Sequence, residues 1–251
     1  MTAPAEHDPW LALRRFTQAR IALGRAGVSM PTGPWLEFGL AHAQAKDAVH
    51  LPLEREKIVG QLNAAGFEQV LVQSAARDRS TFLRRPDLGR TLDEASRERL
   101  QQLKSPTRPD VVFVIADGLS SCGVACHAAA LLEEVVSRLP GWRLAPVVVA
   151  EQSRVALGDE IGELLQAEQV VMLIGERPGL SSPDSVGIYL TYAPRVGRHD
   201  AERNCISNVR SGGLGYGPAA DRLAYLLNAA RHLKFSGVNL KDESDLLLPA
   251  E

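Results

Sequence analysis

Three short apolar runs after residue 110 constrain the fold of the chain more than any other feature. They occupy Val111–Ala116, residues 145–150 and residues 170–174. Unbroken apolar runs of this length are typical of strands buried on both faces of a parallel sheet. A helical stretch at residues 123–139 and an amphipathic one at 161–167 separate the runs. This alternation of strands and helices predicts a Rossmann-like sheet.

The first hundred residues have a different pattern, which predicts helices. Apolar residues recur at helical spacing from residue 10 to residue 22, and Thr32 followed by Pro34 is typical of the start of a helix that runs to residue 50. A further helix is predicted at 52–65. The capping-box pattern of Thr91 and Glu94 predicts a short helix that ends near residue 103.

The predicted fold class is α/β: an N-terminal helical region followed by a Rossmann-like, mostly parallel sheet with flanking helices. Residues 186–192 predict one more strand and residues 219–234 a closing helix. The segment at residues 105–109, SPTRP, is typical of a linker. We therefore expect a helical region over 1–105, a sheet domain over 106–240 and a frayed tail over 241–251.

The composition argues against several classes of protein. Of the 251 residues, 45% are hydrophobic and 23% charged, and the formal charge is -2. This balance gives no general attraction to nucleic acid or to anionic membranes. No run reaches the roughly 18 apolar residues of a membrane span, and the first nine residues do not resemble a secretory signal. Three cysteines fit a reducing cytoplasm. We expect no nucleic-acid partner and no membrane association.

Three segments that follow the predicted strands are expected to line one edge of the sheet. They are residues 117–121, 151–155 and 175–182. Ligands of such sheets bind beyond the carboxyl ends of the strands. The first segment, DGLSS, has two interpretations: a tight strand-to-helix turn with a capping serine, or a loop that faces a ligand with the free amides of a helix N-terminus. It lacks the glycines of a nucleophile elbow or a dinucleotide fingerprint.

Other candidate motifs favour structural roles. Cys122 and Cys126 are four residues apart on a predicted helix, with His127 adjacent, but zinc needs two further ligands. We therefore predict no metal site in the protein. The glycine-rich run at residues 212–217 has no preceding strand, so it predicts a flexible loop rather than a phosphate-binding turn.

Four blocks of sequence carry a resemblance to a known family. They are RIALGR at residues 20–25, LRRPDLGR at 83–90, ADGLS at 116–120 and the long stretch at 175–209 that contains GERPGL, YAPR and CISN. Together they resemble the small subunit of ethanolamine ammonia-lyase. The likeness extends from about Arg14 to Lys241, with the blocks in the order of the family.

This resemblance implies an enzyme subunit that depends on adenosylcobalamin. The reaction converts ethanolamine to acetaldehyde and ammonia through radicals that arise by homolysis of the cobalt–carbon bond. In the family, a large subunit with a TIM barrel carries the substrate site and most of the radical chemistry, and the small subunit covers the cobalamin from the other side. Six large and six small chains assemble, often inside a bacterial microcompartment; otherwise a cytoplasmic location is expected.

The resemblance also implies three cofactor-binding residues and no catalytic residue in this chain. Val155 follows the sequence QSR, Glu176 lies in GERPGL, and Cys205 lies in NCISN, 29 residues after Glu176. Some relatives have one more residue between Glu176 and Cys205, so the loop near His199 varies. No histidine lies in an Asp-x-His-x-x-Gly motif. We therefore predict base-on cobalamin, with no protein side chain bound to cobalt.

Two other functions are considered. A stand-alone nucleotide-binding oxidoreductase could use the same sheet, although the glycine fingerprint is missing. A pure scaffold could bind a partner without touching its cofactor. For the proposed partner, the large subunit, the arginines within Arg14–Arg25 and Arg84–Arg90 are candidate contacts, because arginine is favoured at interfaces.

Overall fold

The computed structural model describes residues 8–103 and 107–244. Most of the predicted tail at 241–251 and part of the predicted linker lie outside the described residues. The strands are β1 Gln69–Gln73, β2 Val111–Ala116, β3 Val147–Glu151, β4 Gln169–Gly175, β5 Val186–Tyr192 and β6 Arg203–Val209. The α-helices are α1 Thr32–His50, α2 Arg55–Ala64, α3 Arg79–Arg84, α4 Glu94–Gln102, α5 Ser121–Ser137, α6 Leu157–Leu164 and α7 Tyr216–Leu233. Short 3-10 helices cover Pro9–Phe16, Leu88–Arg90 and Asp200–Glu202.

The six strands form one mixed sheet in the order β1-β3-β2-β4-β5-β6. The first four strands in this order are parallel, and β5 and β6 continue the sheet as antiparallel strands. The α/β class with a mostly parallel sheet and flanking helices is therefore confirmed. The Rossmann-like identity of the sheet stays a prediction.

The apolar runs form strands because both faces of the sheet are covered. Every residue of β2 is buried. Phe113 faces a core shared with α2, α5 and α7, whereas its neighbour Val114 faces a second core beneath α4 and α6. Successive side chains of a strand point to opposite faces, so an unbroken apolar run fills both cores at once.

Two strands were not predicted from the sequence. β1 lies within the region expected to be helical, and it pairs with β3 at the edge of the sheet. β6 has the sequence RNCISNV, in which polar residues dominate because one of its faces is largely exposed. The domain boundary at residues 105 and 106 stays a prediction.

Two helix predictions in the N-terminal half need correction. The first helix ends at Phe16 rather than near residue 22, and Ala22 and Gly24 have φ of 54° and 74°, values that an α-helix cannot contain. The cap of α4 is Asp93, whose carboxylate accepts a hydrogen bond from the Ser96 N–H at 2.8 Å, and not Thr91. Asp93 fills the same chemical role from the position adjacent to the helix.

In the two described ranges, no helix has both the length and the apolarity needed to cross a membrane.

Candidate functional site

The three predicted edge segments do adjoin one another, and Asp117 joins two of them. This carboxylate follows β2, is 1% exposed, and accepts hydrogen bonds from the N–H groups of Gln152 and Ser153, each at 2.9 Å. Arg79 of α3 forms an ion pair with it at 3.2 Å. The loop after β3 is therefore fixed against the end of β2.

Burial sets the protonation behaviour of Asp117. Loss of water raises the pKa of this carboxyl to about 6, even though the Ser153 and Gln152 amides and the Arg79 charge all favour the ionised form. At neutral pH the carboxylate is ionised and holds its three donors. Its burial and its partners indicate a structural role beneath the edge rather than contact with a ligand.

The turn between β2 and α5 is closed by its own hydrogen bonds. The Ser120 hydroxyl accepts from the Gly123 N–H at 3.2 Å and donates to the Pro183 carbonyl at 2.7 Å. The Leu119 N–H donates to the carbonyl of Gly175 at 2.9 Å. A Cβ at Gly175 would lie 2.1 Å from the Ser120 carbonyl oxygen, so only glycine fits there. The structure thus agrees with the tight-turn interpretation and its capping serine.

Val155 and Cys205 lie in one cleft, although 50 positions separate them in the sequence. The cleft has a volume of about 240 Å³. Val155 is half-buried in the loop after β3, and Cys205 is exposed on β6. The lining residues are Arg90, Arg154, Val155, Ala156, Tyr189, Asp200, Arg203 and Cys205.

Glu176 lies beside this cleft rather than in its lining. Its carboxylate is half-buried and accepts the Asn208 N–H at 3.1 and 3.2 Å. A Cβ at Gly187 would lie 3.2 Å from both the Glu176 carboxylate and the Tyr189 ring, so the missing side chain at Gly187 lets these two groups come close.

Tyr189 connects Glu176 with Cys205 on one face of the sheet. Tyr189 is paired with Cys205 in the register of β5 and β6. Burial raises the pKa of the Tyr189 phenol, and the neighbouring Cys205 and Glu176 raise it further. Sequence reasoning did not find Tyr189, because its place opposite Cys205 depends on β6, which the sequence pattern did not indicate.

A buried ion pair fixes β6 at this face. The Arg203 guanidinium binds the Asp159 carboxylate of α6 through two hydrogen bonds of 2.6 and 2.7 Å. It also donates to the Thr191 hydroxyl and the Arg198 carbonyl, each at 3.0 Å. Both members of the pair are nearly inaccessible to water. The position of Cys205, two residues after Arg203, therefore depends on this pair.

The remaining sequence motifs lie apart from the cleft. His127 contacts the Tyr216 hydroxyl at 2.6 Å and faces the Asp184 carboxylate at 3.5 Å. Cys122 and Cys126 are free thiols. Within the described parts of the chain, no group of three or more His, Cys, Asp or Glu side chains is arranged to hold a metal ion. The glycine-rich run forms the turn into α7, whose N-cap is Gly215.

The fold and the cleft define a class: an α/β protein with a mostly parallel sheet and a small cleft between the loop after β3 and one face of β5 and β6. Comparison with known proteins is more specific. The family model of the ethanolamine ammonia-lyase light chain (EutC) matches residues 7–241. The chain belongs to this family, and the family name implies a lyase.

Several relatives are similar over almost their full length. The ethanolamine ammonia-lyase small subunit of Pseudomonas aeruginosa is 56% identical over 243 residues, which cover 95% of this chain and 89% of the relative. The small subunit of Ralstonia nicotianae is 55% identical over 250 residues, covering 98% and 93%. That of Azotobacter vinelandii is 55% identical over 248 residues, covering 97% and 92%.

Proposed function

We propose that this chain is the small subunit of an adenosylcobalamin-dependent ethanolamine ammonia-lyase, which converts ethanolamine to acetaldehyde and ammonia. The observation that carries the proposal is the convergence of Val155, Glu176 and Cys205 on one face of the sheet. These are the three residues that the family resemblance implies as cobalamin contacts. Membership in the small-subunit family supports the same assignment.

The chemistry of this face fits the edge of a corrin ring. Cobalamin has an apolar corrin ring. Amide side chains extend from the edge of this ring, and their N–H groups need hydrogen-bond acceptors. Among the described residues, Glu176 accepts from one N–H group, that of Asn208, so its carboxylate retains lone pairs for amide N–H groups. Val155 offers apolar surface. Cys205, small and exposed, leaves space for the corrin rim to approach β6.

The size of the cleft also supports a cobalamin site that this chain shares with a larger subunit. A cobalamin molecule is far larger than a cleft of about 240 Å³, so this chain would cover only one side of it. When bound, adenosylcobalamin supplies radical chemistry through its cobalt–carbon bond. The residues of this chain bind and orient one side of the cofactor and exclude water from it. We propose that the cobalamin keeps its own base and that this chain provides no ligand to cobalt.

The number of exposed apolar side chains in the N-terminal segment supports docking to a larger subunit. In α1, the described buried side chains are Ala41 and Ala48, whereas Trp35 is 62% exposed. Apolar patches of this kind mark protein interfaces. We call this set the N-terminal apolar surface: Trp10, Leu11, Leu13, Phe16, Val28, Met30, Trp35, Leu36, Phe38, Leu40 and Leu51.

The candidate arginines at the interface have different surroundings. Arg20 donates to the Leu180 carbonyl at 3.0 Å and to the Ser181 hydroxyl at 3.2 Å, so it ties the N-terminal segment to the loop after β4. Arg85 forms a bidentate ion pair with Asp87 on the surface. We propose that apolar contacts contribute most of the docking. A complex of six large and six small chains and a microcompartment location remain part of the proposal.

The central experiment is co-purification with the larger subunit, followed by measurement of cobalamin binding and of acetaldehyde formation. Glu176→Ala should weaken cobalamin binding about 10- to 100-fold, because hydrogen bonds to a charged acceptor are lost. Glu176→Gln, which keeps an acceptor oxygen, should lose less. Glu98→Ala, an exposed glutamate on α4, is the matched control and should bind normally.

The outcomes distinguish this function from its alternatives. Unchanged cobalamin affinity in Glu176→Ala would favour a scaffold that does not touch the cofactor. Tight binding of NAD by the isolated chain would favour a nucleotide-binding oxidoreductase. An assembled complex that binds cobalamin but does not deaminate ethanolamine would contradict the proposed reaction.

A further inference from the structure

Arginines without a protein partner surround the cleft. Arg90 and Arg154 line it beside Val155 and Cys205, and Arg177 directly follows Glu176. In the described part of the chain, the side chains of Arg90 and Arg177 form no hydrogen bond or ion pair, and both residues are exposed. Exposed arginines are common on protein surfaces, whereas the third arginine, Arg154, is partly buried.

Arg154 is held in place by contacts that leave its charge unpaired. Its N–H donates to the Gly89 carbonyl at 2.8 Å, and its guanidinium lies 4.3 Å from the centroid of the Phe82 ring. Within residues 8–103 and 107–244, its buried Nε has no hydrogen-bond partner. A buried donor without an acceptor costs free energy, so its partner is expected to arrive from outside the chain.

Nearby charges favour an anion as that partner. Burial lowers the pKa of the Arg154 guanidinium, and the positive charges of Arg79, Arg90 and Arg177 lower it further. The acidic groups at and beside the cleft already have partners within the described residues. Asp117 holds two amides and Arg79, and Asp200 in the cleft pairs with Arg203 at 3.4 Å. Glu176 accepts from the Asn208 N–H.

We propose that Arg90 and Arg154, with Arg177 at the margin, bind the phosphodiester of the cobalamin nucleotide loop. This inference rests on the proposed function. The phosphodiester is the one anionic group on the periphery of cobalamin, whose other side chains are neutral amides. Arginine matches phosphate oxygens with two parallel hydrogen bonds. The cleft, too small for the corrin ring, is of a size that suits a phosphate and part of its ribose.

The test compares two corrinoids on the complex with the larger subunit. Cyanocobalamin has the nucleotide loop, whereas cobinamide lacks the loop and its phosphate. In equilibrium dialysis, Arg90→Gln and Arg154→Gln should each weaken cyanocobalamin binding about tenfold, the effect of one lost charge-assisted hydrogen bond. Binding of cobinamide should change less than about twofold. Arg195→Gln, which removes an exposed arginine from a separate groove beside Gly162, is the matched control and should change neither.

Several results would overturn the inference. Equal loss of both corrinoids, or loss of neither, would show that the arginines do not bind the phosphate. Failure of the variants to co-purify with the larger subunit would assign the arginines to an acidic surface of that subunit. If Arg154→Gln does not fold, the exposed Arg90→Gln and Arg177→Gln give the same comparison. A wild-type complex that binds neither corrinoid would instead overturn the proposed function, and this inference with it.

Discussion

Asp117 is a single residue that joins segments far apart in the sequence. It links the end of β2 to Arg79 of α3 and to the loop that carries Val155. Its carboxylate is buried. Loss of water raises the pKa of this group to about 6, because this effect is larger than the opposing effect of its hydrogen-bond donors and of Arg79. Asp117 therefore orders the loop after β3, and the free energy of burying its charge depends on pH.

The stability of the chain should consequently depend on pH through Asp117. The pKa of about 6 in the folded state exceeds the ordinary aspartate pKa of 3.8, so the folded state binds the proton more tightly than the unfolded state does. The stabilisation from this group is fully present below pH 3.8 and is lost as the pH rises through 6. It amounts to up to about 3 kcal/mol. We expect this trend in the difference between the unfolding free energies of the wild type and Asp117→Asn.

The measurement is urea unfolding at several pH values from 4 to 7. Asp117→Asn has no titrating group at this position, so its loss of the Arg79 ion pair is a constant offset. A difference between the two proteins that does not vary across this range would contradict a raised pKa.

At the scale of elements, the sequence predicted the central strands well and the outer ones poorly. The bounds of β2, β5 and α1 agree with the apolar runs and with the Thr32 start. β1 and β6 were missed because each pairs on one side only, and so needs no unbroken apolar run. The positions of Val155 and Glu176 near the edge of the sheet could be predicted, because both residues follow predicted strands in the sequence. The approach of Cys205 to Val155 did not, because it depends on the pairing of β5 with β6.

The attachment of β6 to α6 should depend on the Arg203–Asp159 pair. Arg203→Met leaves a buried carboxylate without its counter-ion and should lower the free energy of unfolding by about 3–5 kcal/mol. Adding Asp159→Leu should restore much of this loss, because the unpaired charge is then removed. Chemical denaturation measures both effects.

Arg85→Met is the matched control for this pair. It breaks an exposed ion pair with Asp87, so the free energy of unfolding should stay nearly unchanged. If the buried and the exposed variants lost stability equally, the pair would not have the role assigned to it.

At the scale of the whole molecule, apolar residues are distributed unevenly. The sheet has two well-filled cores, whereas the N-terminal apolar surface is open, with Trp10 at 65% and Phe16 at 72% exposure. Arg20 and its contacts at Leu180 and Ser181 bring this segment next to the loop after β4. The surfaces that we propose for docking and for cofactor binding therefore belong to neighbouring parts of the chain.

Introducing charges on the N-terminal apolar surface should weaken docking without a comparable loss of folding stability. Trp35→Asp with Leu40→Asp should weaken association with the larger subunit at least tenfold, because two apolar contacts become buried charges. The isolated chain should lose less than about 1 kcal/mol of stability, since both side chains are exposed. Size-exclusion chromatography and thermal unfolding measure the two effects.

A single charge elsewhere provides the control for this surface. Gln101→Asp, on the exposed side of α4, should leave association unchanged. Equal weakening by both variants would point to a general effect of charge rather than to a docking surface.

The close contact of Gly175 with Ser120 has a kinetic consequence. Because the turn after β2 is packed directly against the end of β4, we expect these two segments to move together rather than separately. For the proposed cofactor, opening of this edge would then require both loops to move at once and should be slower than the motion of a single free loop.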